Sequence, residues 1–212
     1  MNLLVLLLAL ALSYLLGAVP FAVVVGKRLR GIDVQRTGSG NAGAMNTFRN
    51  VGRGAGVLVA LLDGLKAALA VLFGRLLLGP EGAALCGAVA VAGHCFSPFL
   101  IVQARNEPAR SWKHWLRQTG GKGLASGIVV LLLVDWRLAV IALAVFFVMR
   151  KLVFKDETWP SIIGVGLTPP LVWWFTASLP ITIAVLLVSV IVIVKHLPDA
   201  REGFYVAMRN EQ

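Results

Sequence analysis

The sequence predicts an all-α fold: a polytopic integral membrane bundle of about seven transmembrane helices, with the N-terminus outside and the C-terminus in the cytoplasm. Three observations predict it. The 212-residue chain is 58% hydrophobic with a mean hydropathy of +0.83, more apolar than a soluble domain of its size. Apolar runs recur along it, several of them near the roughly 20 residues that cross a bilayer. Its cations fall in clusters between alternate runs, as the positive-inside rule requires.

The first run is Leu3–Val25. Its first cations, Lys27 and Arg28, follow the run instead of preceding it. That order predicts an uncleaved span with its N-terminus outside, not a signal peptide. The second run, Ala55–Leu78, carries Asp63 and Lys66 at i,i+3 on one helix face. They read as an ion pair within the bundle, although an intramembrane charge is also a site candidate. The third run is Ala83–Val102, in which His94 reads as structural; His114, in a polar stretch, is given no role.

Leu124–Val134 and Leu138–Met149 are short and flank Asp135-Trp136-Arg137. A single long span would bury that triplet, at about 2.5–3.5 kcal/mol for each charge. A hairpin puts it at an interface, where Trp is at home, so two short spans are expected. Ser161–Phe175 and Pro180–Val194 complete seven. Cys86 and Cys95 read as buried reduced thiols, and without clustered His or carboxylates they make no metal site.

Seven spans place most cations on one side. Lys27, Arg28, Arg30, Arg36, Arg49 and Arg53 come first, then Arg105, Arg110, Lys113, Arg117 and Lys122. Arg150, Lys151 and Lys155 follow, then Lys195, Arg201 and Arg209. The opposite side keeps only Arg75 and Arg137. The net charge of +10 therefore reports topology and anionic lipid head groups, not nucleic acid. The chain is expected to be one membrane-embedded domain, 1–212, and no repeat relates its halves, which weighs against a secondary transporter.

Three polar motifs lie on the cytoplasmic side. Gly38-Ser39-Gly40-Asn41-Ala42-Gly43-Ala44-Met45-Asn46 is followed by Arg49. Its G-x-G-x-x-G pattern follows a membrane-length run, so a dinucleotide-binding βαβ unit is rejected. Glycine-rich backbone can still turn its N–H groups toward an anion. Gly120-Gly121-Lys122-Gly123 opens the fourth span. It is no nucleotide-binding P-loop, because Gly follows the Lys and Leu116 stands at the leading Gly position. A helix N-terminus there still favours an anion. Lys195-His196, with Asp199 three residues on, ends the last span. A Lys-His pair there is commonly a snorkelling anchor, and glycines commonly serve close helix packing. Two glycine loops on one side, each beside a cation, favour a phosphate pocket over packing alone.

Together the motifs resemble the bacterial acyl-phosphate:glycerol-3-phosphate acyltransferase family. The resemblance runs from Ser13-Tyr14-Leu15-Leu16-Gly17-Ala18-Val19-Pro20-Phe21 through the first glycine loop to Arg49. It continues through Leu62-Asp63-Gly64-Leu65-Lys66, Gly93-His94-Cys95-Phe96 and Gly120-Gly121-Lys122-Gly123. It implies a seven-helix inner-membrane enzyme with a cytoplasmic site. That enzyme would move a fatty acyl group from acyl phosphate to the 1-hydroxyl of glycerol 3-phosphate, giving lysophosphatidic acid and phosphate, the first step of phospholipid synthesis. It would use no cofactor, no metal and no CoA or carrier-protein donor, and would act as a monomer.

The resemblance assigns catalytic roles to Ser39, Asn41, Lys122 and His196. It assigns substrate binding to Gly38, Gly40, Gly43, Arg49, Gly121, Gly123 and Asp199. Lys122 and the N–H groups of Gly40–Ala44 would take the departing phosphate, while Arg49 and Ser39 would hold the acceptor's phosphate. Either His196 or a substrate phosphate would accept the hydroxyl proton. Three positions depart from the family: Met45 for Thr, Asp199 for Asn and Lys195 for Arg, with 103–119 resembling an insertion. A permease for a phosphorylated solute is the alternative class. A CDP-alcohol phosphotransferase is disfavoured, because the Asp residues are dispersed instead of clustered for metal.

Overall fold

The computed structural model describes the backbone of residues 2–105 and 111–209 and the side chains up to residue 200. Arg110, Arg201 and Arg209, counted above for topology, lie outside the described side chains. The described residues are all helical or loop. The helices are α1 (Leu3–Ala18), α2 (Phe21–Arg30), α3 (Ala44–Asn50), α4 (Arg53–Cys95), α5 (Pro98–Arg105) and α6 (Trp112–Gln118), then α7 (Leu124–Val134), α8 (Trp136–Leu152), α9 (Thr158–Gly166), α10 (Thr168–Thr176) and α11 (Leu179–Arg209). Among the described residues, three stretches are long and apolar enough to cross a membrane: Leu3–Arg30, Arg53–Arg105 and Leu179–Ala200.

Several expected boundaries move, and proline explains most of the shifts. The first run is not one helix, because Pro20 lacks an N–H and breaks it between α1 and α2. Carbonyls near the break find other donors: Ser97 Oγ donates to Ala18 O (2.7 Å) and Lys66 Nζ to Val19 O (2.9 Å). The third run stops at Cys95, and α5 starts afresh at Pro98. The sixth breaks at Leu167, before Pro169-Pro170. There Thr168 Oγ1 (2.8 Å) and Ser189 Oγ (3.0 Å) both donate to Val165 O, the acceptor that residue 169 would otherwise have used. The last helix runs on through Pro198, beyond the expected end at Val194.

α4 is two helices, 53–78 and 80–95, folded back at Gly79 (φ 74°) ahead of Pro80. The pair is antiparallel and tight: a Cβ on Gly74 would sit 2.3 Å from Gly82 O. α1 packs on the same hairpin, where a Cβ on Gly17 would meet Ala90 O at 2.0 Å. Glycine thus serves helix packing here, as it often does in membrane bundles.

The chain also turns at Asp135, between α7 and α8. Asp135 caps α8 by accepting from Arg137 N–H (3.0 Å). The Arg137 guanidinium hydrogen-bonded to it holds the Asp135 carboxyl below the usual carboxylate range. Trp136 beside them is 63% exposed, as suits an interfacial ring. Cys86 and Cys95 are free and buried.

Candidate active site

The first glycine loop is built around Asn46. Its side-chain amide lies within hydrogen-bonding reach of Val34 O (2.7 Å), Thr37 O (3.0 Å) and Asn41 O (3.0 Å), and its Oδ1 accepts from Ser39 N–H (3.2 Å). Gly38 and Gly40 take positive φ, 59° and 72°, which the turn around that amide demands. The N–H groups of Gly40 and Gly43 are used inside the loop, on Thr37 O and Asn41 O. α3 opens from Gly43 with no side-chain cap.

The second loop packs on His94. Gly121 N–H donates to His94 O (3.1 Å), and a Cβ on Gly121 would meet His94 Nε2 at 2.0 Å. His94 Nδ1 in turn lies 3.3 Å from Asp63 Oδ1, which pairs with Lys66 at 2.8 Å. The expected Asp63–Lys66 pair is thus present, buried beneath the loop. Ser126 Oγ donates to Asp63 O (2.9 Å), tying α7 to the same point. α7 follows Gly123 with no side-chain cap, so no capping side chain occupies its first N–H groups.

Lys195 does not snorkel. It is buried, and its ammonium donates to Leu116 O at the end of α6, to Thr119 Oγ1 (3.1 Å) and to Gly120 O (3.3 Å). His196 is fully buried. Its Nδ1 is 2.7 Å from Val192 O, and a carbonyl only accepts, so Nδ1 carries a proton. In the neutral ring Nε2 is then the acceptor, and among the described residues it has no partner. Asn41 Oδ1 is likewise buried without a partner there.

These pieces meet in one cleft of about 770 Å³. Gly38, Ser39, Asn41, Gly43, Arg49, Lys122, Gly123, His196 and Asp199 line it. Gly40 and Gly121 are not among its walls; Gly40 packs against Gln35 O and Gln118 Nε2, and Gly121 against His94, which with Asp63 does line the cleft. Both cations assigned to phosphates already hold carboxylates. Arg49 Nη2 lies 3.0 Å from Glu157 Oε2. Lys122 Nζ contacts Asp199 Oδ2, and Arg117 Nη2 lies 2.6 Å from Asp199 Oδ1. Asp199 is thus paired, which is what a carboxylate in an anion pocket requires.

An apolar groove of about 250 Å³ adjoins the cleft. Ile128, Leu131, Leu143, Val165 and Val188 line it, and Gly123, Leu124, Ala125 and Phe146 belong to both spaces. Asn46, Arg117, Glu157, Phe146 and the Gln35–Gln118 pair belong to the site or brace it, and none has a site role in the sequence reading. Only Asn46 carried a local signal, its place inside the glycine motif.

The family model for glycerol-3-phosphate acyltransferase matches residues 7–204. A glycerol-3-phosphate acyltransferase of Gloeobacter violaceus is 33% identical over 191 residues, covering 88% of this chain and 85% of the relative. One from Trichlorobacter lovleyi is 35% identical over 185 residues, covering 87% and 86%. Glycerol-3-phosphate acyltransferase 1 of Deinococcus radiodurans is 47% identical over 130 residues; that match spans 61% of this chain but only 57% of the relative. The fold is similar to a crystal structure of PlsY, an integral membrane glycerol 3-phosphate acyltransferase, in its glycerol 3-phosphate form. The TM-score is 0.77 at 24% identity, covering 98% of this chain and 94% of that one.

Proposed function

The chain belongs to the glycerol-3-phosphate acyltransferase family, and from that premise we propose that it transfers a fatty acyl group from acyl phosphate to the 1-hydroxyl of glycerol 3-phosphate. The products are lysophosphatidic acid and inorganic phosphate, and the reaction opens phospholipid synthesis. The observation that carries this reading is the junction of a cation-lined polar cleft with an apolar groove at Gly123, Leu124, Ala125 and Phe146. A donor that is phosphate at one end and hydrocarbon at the other spans such a junction. A permease for a soluble phosphate has no use for the groove.

Acyl phosphate is a mixed anhydride and already activated, so the site positions reactants and offsets charge. The acceptor's 1-oxygen attacks the acyl carbon, the bond from that carbon to the phosphate oxygen breaks, and phosphate leaves with the electron pair. Lys122 and the start of α7 receive the departing phosphate. Arg49 and Ser39 hold the acceptor's phosphate. His196 Nε2 accepts the hydroxyl proton; its free lone pair, set by the Nδ1 contact to Val192 O, supports the imidazole over a substrate phosphate as base. Asn41 Oδ1, also unpartnered, faces the same space and orients the acceptor.

The whole chain, 1–212, works as one membrane-embedded monomer with seven spans in the inner membrane. Its N-terminus is outside, and the cleft opens to the cytoplasm, where the soluble acceptor resides. The kinked α4 supplies two spans and the α7–α8 turn at Asp135 two more; the charge asymmetry supports the orientation. Purified protein given acyl phosphate and glycerol 3-phosphate, without CoA, carrier protein or metal, tests the reaction. Lysophosphatidic acid and phosphate should appear in equal amounts; uptake of a phosphorylated solute into vesicles without acylation would contradict it.

A further inference from the structure

We infer that Arg117 is a positioning residue for phosphate binding: it retains the Asp199 carboxylate so that Lys122 can leave it for a substrate phosphate. This rests on the acyltransferase reading of the cleft. Asp199 faces the space where phosphates are to bind. Unaccompanied, a carboxylate there repels a phosphate and also holds the lysine that should meet it.

The two cations divide the carboxylate between them. Arg117 Nε (3.2 Å) and Nη2 (2.6 Å) both donate to Oδ1, and Lys122 Nζ lies on Oδ2. Departure of Lys122 from Oδ2 leaves both Arg117 contacts intact. Arg117 suits the task, because guanidinium stays charged and presents its donors in a rigid fork. It is held in place from both sides. Leu116 O accepts from Lys195, and Gln118 exchanges hydrogen bonds with Gln35 at 2.7 and 2.8 Å. The side chains of Arg117, Lys122 and Asp199 are each about one-fifth exposed, so the charges are poorly screened yet within reach of a substrate.

A plain tether between α6 and α11 would use the same contact, and the two roles separate by charge. A tether fails whenever Arg117 is lost. Charge compensation is needed only while residue 199 is a carboxylate. Binding of glycerol 3-phosphate and of inorganic phosphate would be measured calorimetrically on the purified full chain. The proteins are wild type, Arg117→Gln, Arg117→Lys, Asp199→Asn and the Arg117→Gln/Asp199→Asn double variant. Arg117→Gln should weaken at least one anion on the order of tenfold, and Arg117→Lys should retain most of the affinity. Adding Arg117→Gln to Asp199→Asn should change affinity by less than about twofold.

Equal losses in both backgrounds, or no loss in either, overturn the inference, as does a wild type that binds neither anion. An Arg117→Gln protein that folds only beside Asp199→Asn counts for it; one that folds in neither background is a tether and counts against it. A wild type that follows the expected pattern yet makes no lysophosphatidic acid sinks the acyltransferase reading alone. A wild type that makes it while showing equal losses sinks this inference alone.

Discussion

Gln35 and Gln118 exchange hydrogen bonds: Gln35 Nε2 donates to Gln118 O at 2.7 Å, and Gln118 Nε2 to Gln35 O at 2.8 Å. They are 83 residues apart, and both are buried. Gln35 precedes the first glycine loop and Gln118 precedes the second, so this exchange fixes the distance between two halves of the cleft.

Gln118→Ala removes one bond outright and leaves Gln35 O without its donor. Losing a buried hydrogen bond and stranding its partner costs about 1–3 kcal/mol. The variant should melt at lower temperature in detergent. It should also bind glycerol 3-phosphate more weakly at temperatures where it is still folded. Unchanged affinity would mean that the two loops are spaced by something else.

Arg49→Ala and Lys122→Ala should both lose turnover while remaining folded. Each removes a charge-assisted contact to a phosphate, worth about 1.5–3 kcal/mol, or one to two orders of magnitude in rate or affinity. Arg49→Ala should cost little stability, because the Arg49–Glu157 pair is largely exposed and such pairs contribute little. Kinetics together with a thermal melt on each variant would check this. Near-normal kcat/KM for either one would remove that residue from the site.

Much of this arrangement is legible in the sequence, and the remainder is hidden for physical reasons. The turn at Asp135 follows from the cost of burying two charges. The two glycine loops, Lys122 and His196 are local patterns, and they line or back one cleft. The break at Pro20 lies inside an unbroken apolar run, so hydropathy passes over it. The carboxylate partners are hidden more deeply. Glu157 lies 108 residues from Arg49, and Arg117 lies 82 from Asp199. Nothing in local sequence links them. The loop glycines also look like an anion nest in sequence, while the N–H groups of Gly40 and Gly43 are used within the loop.

The apolar groove predicts a change in chain-length preference. A Cβ on Gly127 would rest at ordinary contact, 3.5 Å from Val188 Cγ1, so a larger side chain there projects into the groove. Gly127→Leu should lower kcat/KM for long acyl phosphates relative to short ones. The ratio should shift on the order of tenfold, since each methylene denied burial costs about 0.8 kcal/mol. An unchanged ratio across a series of donors would place the acyl chain elsewhere.

Topology is testable with two exposed positions. Met45 lies beside the cleft and is 49% exposed, and Trp136 lies at the α7–α8 turn. In sealed cells Met45→Cys should resist a membrane-impermeant thiol reagent and Trp136→Cys should react with it. The native cysteines are buried and should stay silent. The reverse pattern would invert the proposed orientation.

Direct transfer between two substrates held in one cleft is the central claim, and a rapid-quench experiment with acyl phosphate alone tests it most directly. Neither Ser39 nor Ser126 stands in a nucleophile-elbow sequence, and the donor needs no further activation. Without glycerol 3-phosphate there should be no burst of phosphate and no gain in protein mass. Adding the acceptor should release phosphate and lysophosphatidic acid together. A burst of one phosphate per protein without acceptor, with the protein heavier by one acyl group, would contradict the account.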